Sequence, residues 1–386
     1  MRAFADAIRR ADWLDAKRVR AYAALGAIAC AALLVNSFVK AMMPEGTDFL
    51  AFWGSARSVL AGAPATAYDL GVQEAIQTGT GAQAFFAFVN PPPFLFVTTP
   101  FGLLELPFAW VAWVAVTYAV WAFVACRAFP RLWPIVLVWP GALLAAGHAQ
   151  NGFVTGALLV VGATLVDRRP LLAGAAIGAL VIKPHLALLM PFWLAAGGHW
   201  RAFVAAGVSA VGLLALSWAV FGTETMLAYT DSWQASAQLM SGHNPDFYLR
   251  MSTLYSQVRI FAGHEVALAV QGMLTLALIG LVWLSWRRFD GDPQASGAFA
   301  LAATALASPY LFNYDLPFLI VPTLWLVREG LARGFRDYEK LGLVLLWMAP
   351  YATRAVALPL GINLMPLASI ALACLVWTRA SRNGPA

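Results

Sequence analysis

The sequence predicts an all-α polytopic membrane protein. Of its 386 residues, 61% are hydrophobic and only 11% are charged, and the mean hydropathy is +0.71. Soluble domains carry about 25% charged residues, so a soluble fold of this length is disfavoured. The apolar residues also gather in long runs between short polar segments, as in chains that cross a bilayer several times.

Several of these runs are shorter than the roughly 20 residues that an upright span needs, so we expect some to be half-helices and count about eleven to thirteen transmembrane helices. The runs lie at about 21–42, 93–104, 107–126, 132–147, 152–166, 170–182, 186–197, 202–221, 264–286, 296–311, 315–327, 340–354 and 360–378.

Basic residues predict which ends of the spans are cytoplasmic. They crowd residues 1–20, which we interpret as a cytoplasmic segment before an uncleaved anchor helix. Every later basic cluster falls on the same side if the Pro-rich run 93–104 dips into the bilayer without crossing it. Residues 21–378 then form one transmembrane domain with outer loops at 43–92 and 222–263, and 379–386 is a cytoplasmic tail. If 93–104 crosses fully, the middle of the chain is inverted.

The net charge of +6 does not predict a nucleic-acid partner. The basic residues stand in short clusters between apolar runs, which is typical of loops facing anionic membrane lipids. Cys30, Cys126 and Cys374 lie inside apolar runs without metal-ligand spacing. The chain also lacks the common zinc-protease, P-loop and nucleophile-elbow motifs. We therefore predict no metal and no other cofactor.

Asp48 is the first candidate for chemistry. It follows the first apolar run directly, stands among aromatic residues, and has no Lys or Arg after it until Arg57. A carboxylate in this position is suited to act as a general base. The alternative is that Asp48 only caps the helix that follows it.

A second candidate site is the interruption Lys183-Pro184-His185 in an otherwise apolar stretch. Proline breaks the helix there and leaves backbone groups free to meet a ligand. We expect Lys183, His185 and the distant Arg354 to bind a phosphate. The alternative for Lys183 is a side chain that reaches the lipid headgroups, and the alternative for Arg354 is a purely interfacial position.

Further polar clusters fall on the predicted outer side, where amide, imidazole and phenol groups suit sugar hydroxyls. A plain connecting loop has a similar composition, which is the alternative for each. The candidates for substrate binding are His148, Gln150, Asn151, His243, Arg250, Asn313 and Tyr314. Asp315 is either a second carboxylate site or a helix cap.

Several of these residues belong to motifs that occur in a particular order. They are Thr47-Asp48-Phe49 with Trp53, Tyr68-Asp69, Asn90-Pro91-Pro92-Pro93, Gly147-His148-Ala149-Gln150-Asn151-Gly152 and Lys183-Pro184. In this order, over about residues 20–330, the sequence resembles glycosyltransferase family 87. Its members are multi-spanning enzymes with a GT-C-type fold, similar to the polyprenol-phosphate-mannose-dependent mannosyltransferases.

The resemblance implies a GT-C-type fold with short surface helices in the outer loops. It also implies transfer of a hexose from a polyprenyl-phosphate donor to a hydroxyl of a lipid or glycan acceptor. Mannose is the hexose that the resemblance favours. Transfer would occur with inversion, on the outer face of the cytoplasmic membrane. By the same resemblance Asp48 is the general base and Lys183 a donor-phosphate ligand. We expect Phe49, Trp53 and Asn90, which belong to the motifs, to contact substrate.

The alternative function is a transporter or flippase of a lipid-linked saccharide. Transporters commonly contain internal repeats and ionisable residues near the bilayer midplane. Neither feature is evident in this sequence. A purely structural membrane scaffold is also disfavoured, because it gives no reason for the isolated Lys183 and Asp48 among so few charges.

Overall fold

The computed structural model describes residues 2–242 and 244–381, and within them the protein is helical with no β-strand. The α-helices are α1 (Arg2–Arg10), α2 (Ala16–Ala41), α3 (Phe49–Leu60), α4 (Leu70–Thr78), α5 (Leu95–Thr98), α6 (Leu106–Ala128), α7 (Trp133–Leu137), α8 (Pro140–Gly147), α9 (Gly152–Leu165), α10 (Pro170–Gly178), α11 (Met190–Ala196), α12 (Trp200–Ser241), α13 (Pro245–Arg250), α14 (Leu254–Phe261), α15 (His264–Arg288), α16 (Pro293–Ala307), α17 (Ile320–Arg333), α18 (Glu339–Leu360) and α19 (Met365–Ala380). Short 3-10 helices occur at Pro64–Tyr68, Pro92–Phe94, Thr99–Leu103, Pro130–Leu132, Ala179–Ile182, Pro184–Ala187 and Asn313–Leu319.

The helix lengths confirm an all-α polytopic membrane protein. In the described part of the chain, five helices are long and apolar enough to cross a membrane, namely α2, α6, the part of α12 up to Trp233, α15 and α18. A sixth candidate is the pair 130–137 and 140–147, which is bent by 53°. Four other apolar helical segments have 10–17 residues. Apolar side chains such as Ile28 and Leu276 point outwards from α2 and α15, as expected for lipid contact.

The predicted outer loop at 222–263 is largely helical, in keeping with short helices in the outer loops, and its side of the membrane stays a prediction. Helix α12 continues to Ser241, and α13 and α14 follow it. At Gly222 the helix is broken by a backbone conformation of φ 81° and ψ 167°. Glycine adopts this conformation readily because it has no Cβ. The change in the sequence pattern near 222 therefore coincides with a break between two helical parts of α12.

The segment 43–92 contains short helices, as predicted, but α3 does not lie on a surface. Eight of its 12 residues are buried. Its Ala56 meets the 3-10 helix at Thr99–Leu103 so closely that a Cβ on Gly102 would lie 2.7 Å from the Ala56 Cβ. Helix α3 is thus held by packing, and the residue at its start, Asp48, occupies a fixed position.

The core is built around α16, in which every residue from 295 to 307 is buried. Most of these residues are Ala, so neighbouring helices approach α16 closely. Another close contact joins α10 to α12, where Cβ atoms on Gly174 and Gly178 would lie 2.2 Å from the carbonyl oxygens of Ala202 and Ala206. Two glycines four residues apart commonly allow such backbone approach between membrane helices.

Helix α9 approaches the Asn313–Leu319 helix just as closely. A Cβ on Gly152 would lie 2.0 Å from the carbonyl oxygen of Tyr314, and one on Gly156 would lie 2.8 Å from Pro317 Cβ. Trp121 adds a hydrogen bond from its Nε1 to the Pro317 carbonyl, at 3.1 Å. These contacts fix the segment that carries Tyr314.

We predict that Gly152→Ala destabilises the protein by about 1–3 kcal/mol, because the new methyl group displaces the backbone at Tyr314. The thermal unfolding midpoint in detergent measures this. Gly272→Ala on α15 is the matched control, since no atom lies within 4 Å of the Cβ position there. Equal midpoints for the two variants would contradict the proposed close packing.

Helices α13 and α14 are joined to the rest of the bundle through the strand-like residues around Phe312. Met251 and Phe312 form an isolated antiparallel bridge, and the Ser252 amide donates to the Leu311 carbonyl at 2.8 Å. Asn363 Nδ2 donates to the carbonyl of Met251 at 2.9 Å. The end of α13, where Arg250 stands, is therefore positioned against Phe312 and its neighbours.

Candidate active site

Asp48 is the residue immediately before α3, but its side chain makes no capping hydrogen bond. The alternative interpretation, in which Asp48 only caps this helix through its side chain, is therefore wrong. The carboxylate is 24% exposed. No Lys or Arg forms an ion pair with it in the described part of the chain. A carboxylate that is neither capping a helix nor neutralised by a basic side chain remains available to accept a proton.

His148 lies beside this carboxylate. Its Nδ1 is 3.7 Å from Asp48 Oδ2, and its side chain is 41% exposed. The residue ends α8, and the following Ala149 adopts a positive φ of 45°, which turns the chain sharply into α9. The imidazole also contacts the ring of Tyr314, with 5.4 Å between the ring centroids.

Burial and the neighbouring charges together determine the protonation of His148. Desolvation lowers its pKa from the usual 6.5, Asp48 raises it, and Arg354 and Arg250 lower it, with a net shift downwards. His148 is therefore neutral at pH 7. Asp48, Arg250 and Arg354 are thus all close enough to the imidazole to interact with it electrostatically.

Arg250 and Arg354 are brought together from the end of α13 and from α18. Each influences His148 electrostatically, and they repel one another. Within residues 2–242 and 244–381, no carboxylate pairs with either guanidinium group and no hydrogen bond occupies it. Two neighbouring arginines without a counter-ion favour an anionic ligand such as a phosphate.

Lys183, by contrast, already has partners in the protein. Its Nζ is 2.5 Å from Asp315 Oδ1 and 3.0 Å from Asn151 Oδ1, and all three side chains are buried. Asp315 Oδ2 also accepts the Phe312 amide at 3.1 Å, so Asp315 caps the Asn313–Leu319 helix. Because its charge is balanced internally, this arrangement does not support Lys183 as a direct phosphate ligand. It holds the segment bearing Tyr314 in place.

The other residues predicted near Lys183 are arranged around the same break. Asn90 Nδ2 donates to the Ile182 carbonyl at 3.3 Å, and Tyr68 donates to the Asn90 carbonyl at 2.8 Å. His185 packs edge-on against Tyr310, and its buried Nε2 has no partner among the described residues. Asn90 thus supports the backbone before Lys183, and a phosphate contact by His185 stays a prediction.

Three predicted substrate contacts are packing residues in the structure. Phe49 is 1% exposed and lies against Trp113. Trp53 donates its indole N–H to the Leu104 carbonyl at 3.0 Å. Asn313 is buried and donates to the Pro350 carbonyl at 2.7 Å. None of them joins the group around Asp48.

The remaining predicted substrate residues differ in where they lie. Gln150 accepts the amide of Asn151 at 3.3 Å through its own side chain, and its contact with substrate stays a prediction. His243 lies outside the described residues. Tyr314 is beside His148 and stacks on Phe312 with centroids 5.0 Å apart.

Tyr310 was not predicted as a site residue. Burial raises the pKa of its phenol, and Asp315 and Asp48 raise it further. The pKa of Tyr314 is raised by burial, by Asp48 and by Asp315. Both phenols therefore keep their protons at neutral pH. The run Ser308–Asp315 signalled the position of Tyr310, because it concentrates aromatic and polar residues between two apolar helices.

The described side chains form no further site of metal ligands. Within residues 2–242 and 244–381, no three His, Cys, Asp or Glu side chains are grouped so that they could hold a metal ion. The site therefore consists of one accessible carboxylate, one neutral imidazole, two unpaired arginines and two protonated tyrosines. The absence of a cofactor stays a prediction.

The fold and this group of side chains define a membrane protein with a cluster of ionisable side chains, its candidate active site, at one end of the helix bundle. The family model of glycosyltransferase family 87 matches residues 88–309. The chain therefore belongs to glycosyltransferase family 87 and is a membrane glycosyltransferase. No curated protein and no solved structure matched it.

Proposed function

We propose that the protein transfers a hexosyl group from a polyprenyl-phosphate donor to a hydroxyl of a lipid or glycan acceptor. The sugar that we propose is mannose. The observation that carries this proposal is the combination of the free Asp48 carboxylate with the unpaired Arg250 and Arg354 around one imidazole. A base and a phosphate-binding pair are the two functions that this transfer requires from a protein.

The reaction we propose is a single displacement with inversion at the sugar carbon. Asp48 takes the proton of the acceptor hydroxyl while the acceptor oxygen forms a bond to that carbon. The bond from the carbon to the phosphate oxygen breaks, and the electron pair leaves with the polyprenyl phosphate. Arg250 and Arg354 stabilise the negative charge that builds up on the leaving phosphate, as preorganised cations do in other transfer enzymes.

The protonated phenols of Tyr310 and Tyr314 fit a sugar between these groups. Their pKa values are raised by burial and by the nearby carboxylates, so both hydroxyls can donate hydrogen bonds. Their rings also offer apolar faces. We propose that they bind the hexosyl group, with Gln150 as a further contact.

The proposed orientation, with the site on the outer face of the cytoplasmic membrane, is supported by charge distribution. Helix α2 has 26 residues, so its ends are separated by about 39 Å. The basic segment 1–20 includes the first residues of α2, and Asp48 follows the last one. Near the start of α18, the Tyr338 amide donates to the Arg9 carbonyl at 2.7 Å, whereas Arg354 stands further along α18. If the basic end is cytoplasmic, Asp48 and Arg354 are on the opposite side.

Arg250→Gln and Arg354→Gln are each expected to raise the KM for the donor about 10-fold to 100-fold. The reason is that a hydrogen bond to a charged group contributes about 1.5–3 kcal/mol. Steady-state kinetics with the polyprenyl-phosphate sugar measures this. Arg131→Gln is the control, because Arg131 is exposed and near the other end of the bundle. An unchanged donor KM in both site variants would exclude the arginines as the phosphate site.

A further inference from the structure

The geometry between Asp48 and His148 suggests a path for the proton after transfer. The distance of 3.7 Å from His148 Nδ1 to Asp48 Oδ2 exceeds a direct hydrogen bond, so the imidazole does not fix the carboxylate in the resting state. A small side-chain rotation or one water molecule closes this gap. His148 is also the more exposed of the two, at 41% against 24%. The imidazole therefore has its own access to solvent, to which it can release a proton.

Charged and titratable groups face His148 from four elements. They are Asp48 at the start of α3, Tyr314 on the Asn313–Leu319 helix, Arg354 on α18 and Arg250 on α13. The ring is neutral at pH 7 because desolvation and the two arginines together outweigh Asp48. A neutral imidazole has a free nitrogen lone pair, so it can accept a proton.

We propose that His148 accepts from Asp48 the proton that the carboxylate has removed from the acceptor, and then releases it to water. This inference rests on the proposed function. The acceptor proton moves first to an Asp48 oxygen while the new glycosidic bond forms and the phosphate leaves. The Asp48 O–H bond then breaks, a His148 N–H bond forms, and Asp48 is again a carboxylate. His148 acts through Asp48 and is a positioning and relay residue.

The first test compares turnover in His148→Gln and His148→Ala with the wild type. Both variants are expected to lower kcat about tenfold, less than the roughly 100-fold to 10,000-fold of a group that takes the reacting proton directly, with little change in the donor KM. Added imidazole is expected to restore part of the kcat of His148→Ala, which a purely structural role does not predict.

A matched control is available at the other end of the bundle. His199 Nε2 lies 3.6 Å from Asp167 Oδ1, which is nearly the same separation as in the site. His199→Gln is expected to leave kcat unchanged, and His199→Ala is expected to be insensitive to imidazole. A loss of kcat in His148→Ala that imidazole does not restore, in a variant that unfolds at the wild-type temperature, would overturn the relay.

The second test is the pH dependence of kcat. The pKa of His148 is lowered from its usual value, so the wild type is expected to lose activity only as the pH falls through this lowered pKa and the imidazole becomes protonated. Above it, the imidazole is neutral and the relay is complete. His148→Gln is expected to lack this acid limb. An identical acid limb in the variant and the wild type would overturn the relay.

A third measurement does not depend on turnover, so it separates this inference from the proposed function. The chain has only five histidines, and NMR of histidine-labelled protein can follow each ring during a pH titration. Asp48→Asn is expected to lower the pKa of His148 further, because Asp48 raises it. An unchanged His148 pKa would overturn the coupling. Absence of sugar transfer by the wild type would instead overturn the proposed function.

Discussion

Asp48→Asn is expected to reduce sugar transfer about 100-fold to 10,000-fold, the usual contribution of a general base. The amide has nearly the size of the carboxylate but cannot take a proton from the acceptor. Because Asp48 makes no capping hydrogen bond, the substitution removes no contact that holds α3. Transfer of radiolabelled sugar by purified protein in detergent measures the loss, and the unfolding midpoint shows whether the fold is retained.

Asp69→Asn is the matched control for this experiment. Asp69 also precedes a helix, but its Oδ1 accepts the Val72 amide at 3.0 Å and so caps α4. This variant is expected to lose at most a fraction of the roughly 0.5–2 kcal/mol that a cap contributes, and to keep its turnover. Near-normal turnover by Asp48→Asn, or an equal loss in both variants, would contradict the role of Asp48 as the base.

Lys183→Met is expected to destabilise the protein by about 3–5 kcal/mol. The substitution leaves the Asp315 carboxylate buried without its cation, and an uncompensated buried charge is costly. The thermal unfolding midpoint in detergent measures the effect. Lys17→Met, at an exposed position near the start of α2, is the control and is expected to leave the midpoint unchanged.

The double variant Lys183→Met with Asp315→Asn separates the ion pair from packing. The side-chain amide oxygen that Asp315→Asn introduces can still accept the Phe312 amide, which Asp315 accepts in the native protein. Without the buried charge, the double variant is expected to be more stable than Lys183→Met alone. A double variant that is less stable than either single variant would show that the charge is not the cause.

The membrane class, the helical fold and the position of Asp48 could be predicted because hydropathy and isolated polar residues are local signals. The motif around His148 was also visible, since it interrupts two apolar runs. The sequence does not show whether the Lys183 ammonium group is available to a ligand or paired inside the protein. Its partner Asp315 is 132 residues away, and nothing in either segment shows which polar side chains will meet.

Burial explains the other differences between the expected contacts and the structure. Phe49 adjoins Asp48 in the sequence, but the first turn of α3 directs its ring against Trp113. Asn313 adjoins Tyr314, yet its amide serves a buried network with the Pro350 carbonyl and Thr353. The break at Gly222 agrees with the end of the apolar run at 221, because glycine and a rise in polarity usually end a helix.

The fold also extends the site beyond the matched region. The family model covers residues 88–309, whereas Asp48 precedes that region and Arg354 follows it. His148 lies within the region, and its environment includes both of the other residues. The proposed base and phosphate site thus depend on how α3 and α18 pack against the matched part of the chain.

The most direct test of this proposal compares two sources of labelled mannose. Purified wild-type protein is incubated with a membrane lipid extract and either polyprenyl-phosphate-mannose or a nucleotide-activated mannose, with the mannose radiolabelled. The proposed function predicts label in an acceptor from the polyprenyl-phosphate donor alone, and inversion at the sugar carbon in the product. Transfer from the nucleotide donor, with none from the polyprenyl phosphate, would contradict it.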